Sequence, residues 1–161
     1  MLPVVSCAYE IKSDKFIITY PNDDVLEEFL DNTRFDGGFS LFGGGSSLTL
    51  KEQAANRVTR IIGKVEDILE MHPEHMVVKI VLFSDEKQVQ RVYRQQYDRV
   101  VDFIAFYSPL DEKIYISTNN VVLRVIAHEM AHCVIYHYFK KQPPVKLHEL
   151  MAQFVEAHIQ D

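Results

Sequence analysis

The sequence predicts an α+β fold in a single domain spanning residues 1–161, and three observations carry that prediction. Strand and helix signals interleave along the chain with no internal repeat. The middle of the chain is strand-rich and contains a hairpin pattern, while two helical patterns separated by a proline pair close it. At 161 residues and 47% apolar composition, the chain is long enough to bury roughly 70% of its unfolded surface in one core.

The elements follow in order. "KFIITY" (Lys15 to Tyr20) is a β-rich run closed by Pro21 and Asn22, and the acidic "DDVLEEFLD" after it predicts a short helix. "FDGGFSLFGGGSS" (Phe35 to Ser47) holds five glycines in thirteen residues, which predicts a flexible loop over 35–47. Within it, Phe39 to Ser46 are candidates to cover a cleft or simply to link elements. From Thr49 to about Met71, Leu50, Ala54, Val58, Ile61, Ile62, Val65, Ile68 and Leu69 recur at helical spacing until His72-Pro73 stops them. "MVVKIVLF" (Met76 to Phe83) predicts a buried strand. Ser84 or Asp85 then caps a helix through about Tyr97, with Arg91, Arg94 and Arg99 on a solvated face. "FIAFYS" and "KIYIST" flank the turn "PLDE", so a hairpin is expected over Phe103 to Thr118.

Two helices complete the chain. The first, from about Asn119 to Phe139, is apolar nearly all round, which predicts burial. "KKQPP" (Lys140 to Pro144) breaks it. The second, about Val145 to Ile159, is expected to turn Leu147, Leu150, Met151, Phe154, Val155 and Ile159 inward.

Charge and cysteine content narrow the function classes. A net charge of −6 and a pI near 5.6 argue against nucleic acid as a partner, since phosphate binding relies on clustered Lys and Arg. No run of 18 or more apolar residues occurs, and "MLPVVSCAYEIK" lacks a basic region followed by an apolar one, which predicts neither membrane nor export and a cytoplasmic location. Cys7 and Cys133 stand far apart without a CxxC pattern and read as free thiols.

The buried first helix carries polar exceptions. Arg124, His128 and His132 recur every four residues on one stripe, with Glu129 beside it. Burying such groups without partners costs a few kcal/mol each, so the stripe must face water, a partner or a metal. His128-Glu129-Met130-Ala131-His132 is HExxH, in which two imidazoles one turn apart can grip one Zn²⁺ while the intervening glutamate serves as general base to a water at the ion. A di-iron carboxylate bundle would need Glu-x-x-His twice, and it occurs once here. A structural zinc site would fill its positions with Cys and His, but Cys133 points about 100° away from His132.

A third ligand must come from elsewhere. The long metzincin form is excluded, because Tyr138 and Ile135 stand where it needs histidine and glycine. Glu149 suits the geometry best: about 12 Å of helix after His132, a turn at Pro143-Pro144 and about 8 Å of return bring it near the height of the histidines. His148, Glu156 and His137 remain alternatives.

HExxH followed by a glutamate on the next helix resembles the gluzincin metallopeptidases, and the short chain resembles their minigluzincin or peptidase-MA-like members. The resemblance covers about Phe103 to Ile159, including "IAFYS", "KIYIS" and "VVLRVIAHEMAH" in the order edge strand, hairpin, active-site helix. It implies a small zincin-like domain whose short mixed sheet carries an exposed edge strand and packs on an HExxH helix and a following glutamate-bearing helix. It also implies Zn²⁺ held by His128, His132 and Glu149, Glu129 as general base, and Ile104, Ala105, Phe106 and Tyr107 as the edge that aligns a peptide or unfolded-protein substrate. The family often has Glu-x-x-x-Asp where this chain has Glu149 to Gln153, so Gln153 is expected to brace the first histidine. The oxyanion donor that larger members bring from downstream has no counterpart up to Asp161, which leaves Tyr107, Arg124, Tyr136 and His137 as candidates. Two other expectations stand beside the peptidase. One is a repressor-cleaving regulatory protease, whose order of Glu, Ala and Phe is similar to Glu149, Ala152 and Phe154; the other is a non-catalytic metal-binding scaffold.

Overall fold

The computed structural model describes residues 8–37 and 47–161. Five strands and five helices lie among them: β1 (Tyr9–Lys12), β2 (Phe16–Tyr20), α1 (Asp23–Asn32), α2 (Leu50–Leu69), β3 (Val78–Phe83), α3 (Glu86–Tyr97), β4 (Ala105–Ser108), β5 (Lys113–Ser117), α4 (Leu123–Tyr138) and α5 (Val145–His158). The class is α+β with a mixed sheet in the order β1-β2-β3-β5-β4. The pairs β2–β3 and β3–β5 are parallel, and the outer pairs β1–β2 and β4–β5 are antiparallel.

Alternation along β3 explains the two faces. Val78, Ile80 and Leu82 point into the main core. There they meet Ile18 and Ile114 from the flanking strands and Ile61, Ile126 and Met130 from α2 and α4. Val81 and Phe83 point the other way and pack with Val89 of α3, Phe106 and Tyr115 in a smaller aromatic cluster. Its rings make close pairs, Phe106 with Tyr115 at 5.1 Å and Tyr93 edge-on to Phe106 at 5.0 Å.

The helix starts follow local chemistry. Thr49 and Glu52 form a reciprocal capping box on α2, and Asn22 and Asp85 cap α1 and α3. By contrast α4 begins at Leu123, later than its apolar pattern predicts, and Val122 offers no side-chain cap. Thr118 explains the delay. Its amide and hydroxyl both donate to the Phe83 carbonyl, while its own carbonyl accepts from Asn32, which commits that backbone to the sheet end.

Three expectations require correction. Strand β1 was not anticipated, because only Ile11 of its four residues is buried and alternation has almost nothing to act on. In α5, Ala152, Val155 and Ile159 are buried with Met151 against them, whereas Leu147, Leu150 and Phe154 are about half exposed. The start of the predicted glycine-rich loop is anchored. Phe35 is buried under the Arg60 guanidinium, 3.9 Å from its ring centroid, and the Asp36 amide donates to Gln160 Oε1 at 2.8 Å. The rest of that loop, with Phe39 to Ser46, lies outside the described residues, as does Cys7. Cys133 is free and buried, and burial pushes its thiol up to about 12. Among the described residues no helix is long and apolar enough to cross a membrane.

Urea unfolding should separate the two kinds of apolar position. Ile114→Ala, which empties a fully buried site, is expected to cost about 2–5 kcal/mol. Leu150→Ala, on the exposed side of α5, should change stability by less than about 0.5 kcal/mol.

Candidate metal centre

Helix α4 lies between the sheet and the helices α2 and α5, which is why its sequence is apolar on most sides. Its stripe at His128 and His132 faces α5. After Pro143 and Pro144 the chain doubles back, and α5 runs antiparallel to α4 with His148 and Glu149 beside His132 and Glu156 beside His128.

Ligand atoms of three residues converge there, with the two oxygens of Glu149 each facing one ring. His128 Nε2 and His132 Nε2 are 3.2 Å apart, His128 Nε2 and Glu149 Oε1 are 3.3 Å apart, and His132 Nε2 and Glu149 Oε2 are 3.4 Å apart. An ion with ligand bonds of about 2.0–2.1 Å at tetrahedral angles sets its ligand atoms about 3.3–3.4 Å from one another. The trio His128, His132 and Glu149 can therefore hold a metal ion. Of the alternatives for the third ligand, Glu156 and His148 meet the opposite edges of the two rings, at Nδ1. His137 is turned elsewhere, with Nδ1 2.8 Å from the Cys133 carbonyl and Nε2 3.8 Å from Glu112.

The contacts at Nδ1 orient the ligands. Glu156 Oε2 lies 3.0 Å from His128 Nδ1; a carboxylate only accepts, so that nitrogen carries the hydrogen and Nε2 presents its lone pair to the site. This corrects the expectation for Gln153, which instead donates to Glu149 Oε1 at 3.3 Å. Helical phase gives the reason. Seven residues bring Glu156 back to within about 20° of Glu149, while four residues rotate Gln153 about 40° to the other side. A carboxylate seven residues after Glu149 was the available signal. On the second ring, His148 Nδ1 lies 3.3 Å from His132 Nδ1. Burial pushes His148 down from the usual imidazole range, and it pushes His132 down as well, with the His128 charge adding to the effect.

Glu129 stands between α4 and the sheet edge. Its Oε2 accepts the Tyr107 backbone N–H at 2.8 Å. Burial pushes its carboxyl up to about 7, helped by the charges of Glu149 and Glu156 and opposed by His128 and by the Tyr107 amide. Strand β4 is at the edge of the sheet, as expected, starting at Ala105 rather than Phe103. The Ile104 carbonyl accepts from Ser117 inside the hairpin, so by alternation the backbone groups of Ala105 and Tyr107 face outward, toward the side where Glu129 sits. Phe106 points to the α3 face.

The remaining candidates differ in placement. Tyr136 continues the histidine stripe one turn past His132, and its ring lies 5.9 Å from that of Tyr107. The Tyr107 hydroxyl is buried without a hydrogen-bond partner, and desolvation pushes its pKa upward. Arg124 is exposed on the first turn of α4 and forms no hydrogen bond or ion pair among the described residues.

Fold and site together define an α+β domain with a two-histidine, one-glutamate group able to hold a metal ion. No family model, curated protein or solved structure matches this chain.

Titration of chelator-treated protein with Zn²⁺ or Co²⁺, followed by calorimetry and by the Co²⁺ visible spectrum, should show a single four-coordinate site. His128→Ala, His132→Ala and Glu149→Ala should each lose it, whereas Glu129→Gln should retain it.

Proposed function

We propose that this chain is a zinc-dependent peptidase of the zincin type, resembling the minigluzincins, that hydrolyses peptide bonds in extended or unfolded polypeptides. One observation carries the reading: Glu129, whose neighbours in the chain and fold are the three converging ligands, is held against the edge strand by the Tyr107 amide. Metal-ligand geometry, a carboxyl poised near neutrality and a strand edge thus meet at one place.

When bound, a zinc ion would polarise both the attacking water and the scissile carbonyl. The rest falls to the chain. Glu129, with its pKa raised to about 7, is suited to accept the water's proton and pass it to the leaving nitrogen. Its Oε2 is anchored by Tyr107, and Oε1 has no protein partner among the described residues, which leaves one oxygen for the proton. The outward backbone groups at Ala105 offer an extended peptide the hydrogen bonds of an added strand. Tyr136, one turn beyond His132 on the same stripe, is the favoured hydroxyl donor to the developing oxyanion. His137 is less suited, since its Nδ1 is engaged by the Cys133 carbonyl. The acidic composition argues for a polypeptide rather than a nucleic-acid substrate, and the buried free Cys133 suits a reducing compartment such as the cytoplasm.

Hydrolysis of an unfolded casein substrate by Zn²⁺-loaded protein is the direct test. Glu129→Gln should lower kcat by about 10²–10⁴-fold with zinc content unchanged. Zinc binding without turnover of casein would instead favour a metal-binding scaffold or a protease dedicated to one repressor.

A further inference from the structure

We infer that this chain pairs with a second copy of itself through the outward face of α5, the two α5 helices lying antiparallel about a two-fold axis at Leu150. The pairing is independent of the metal centre and of the proposed reaction.

That face is unlike the outward faces of α1, α2 and α3. Leu147, Leu150 and Phe154 are 46%, 54% and 52% exposed, and Val145 at the start of the helix is 86% exposed. Steps of three and four residues set the first three within about 60° of one another, the spacing of a seam between two paired helices. The Phe154 ring is held on this face by the His158 ring, with centroids 4.2 Å apart. Glu149 and Glu156 stand at least about 100° away around the helix, on the side of the metal centre. Lys146 is then the single charge among the exposed residues of α5. The other surface helices turn charges outward: Glu27 and Asp31 on α1, Arg60 and Asp67 on α2, Arg91 and Arg94 on α3. Interface cores are depleted of charge as α5 is, and solvated faces are not.

Area and charge select the occupant. Val145, Leu147, Leu150 and Phe154 together expose roughly 400 Å² of mainly apolar surface, the size at which a patch on a monomer commonly has a binding role. Two copies cover roughly 800 Å² of it, and with the flanks at Lys146 and Gln153 the total stands near the lower limit for a specific interface, as in a weak, reversible dimer. The face has no charge pattern for an acidic or basic partner to read. It is instead complementary to itself. Antiparallel pairing about Leu150 sets Leu147 of each copy against the partner's Phe154 and leaves Leu150 beside the partner's Leu150. It also places the two Lys146 side chains at opposite ends of the seam, whereas a parallel pair would set them side by side. A closed two-fold contact occupies the whole face, so assembly stops at two.

Sedimentation from about 1 µM to about 500 µM protein should carry the average mass from 18.7 kDa toward twice that, with a Kd of roughly 10–100 µM. At the low end the monomer prevails. Leu150→Glu and Leu150→Lys, each with native circular dichroism, should stay monomeric at the top concentration. An equimolar mixture of the two should regain the dimer, because position 150 meets itself across the axis and the mixed pair is oppositely charged. Should either variant fail to fold, Leu147→Glu mixed with Phe154→Lys makes the same comparison. Wild type that is monomeric throughout, whether the face is bare or covered by another part of the chain, would overturn the pairing. So would a dimer that survives Leu150→Glu, or mixtures that stay monomeric.

Discussion

Glu149 reaches the two imidazoles only because α5 lies antiparallel on α4, and that contact is made by a narrow apolar face. Ala152, Val155 and Ile159 are buried in it. The proline pair ahead of α5 turns the chain so that its first two turns fall beside His132 and its later turns beside His128. Every contact of the site inherits this arrangement. A slip of one residue along α5 would rotate Glu149 by about 100° and separate the ligand trio.

The arrangement concentrates negative charge. Glu129, Glu149 and Glu156 surround His128, and among the described residues no lysine or arginine is paired with any of them. Carboxylates gathered in a partly buried site repel one another, and burial adds to the cost of their charged forms. Burial is the main cause of the upward push on Glu129, and the charges of Glu149 and Glu156 add a smaller part. A divalent cation at the ligand trio would offset the repulsion, lowering the energy of three carboxylates whose other partners are histidines, the Tyr107 amide and the Gln153 side chain. Sequence spacing, convergence of lone pairs and uncompensated charge therefore point to the same ion, although they are physically distinct.

Much of this was legible in one dimension, and the divide follows the range of the interaction. His128 and His132 sit one turn apart on any helix, so their shared stripe needs no tertiary knowledge. Glu149 required only helix rise and a turn at the prolines. Spacing within α5 already put Glu156 closer in phase to Glu149 than Gln153, but its reach to His128 Nδ1 depended also on the stagger of α5 against α4. Likewise Leu147, Leu150 and Phe154 carry larger apolar side chains than Ala152, yet the face containing Ala152 is the one that packs. Apolar residues occupy most of the circumference of α5, so periodicity alone could not select the buried side. The place of β3 between β2 and β5 and the pairing of β1 at the far edge are long-range facts of the same kind.

The two sheet edges show how a site and a liability coincide. An open edge offers unpaired amides to other chains, and native sheets restrain it with short strands and charges. At the far edge β1 spans four residues, with Glu10 and Lys12 exposed and 3.1 Å apart. At the near edge β4 is equally short, but its outward Tyr107 amide is taken by Glu129. That single bond blunts the edge and fixes the general base of the proposed reaction. In the proposed reaction an incoming strand would pair around Ala105, on the side of β4 where Glu129 sits, rather than along the whole of an unguarded β4. Selectivity for where a chain docks and orientation of the group that would act on it then have one origin, a glutamate on a buried helix bonded to the backbone of the strand above it.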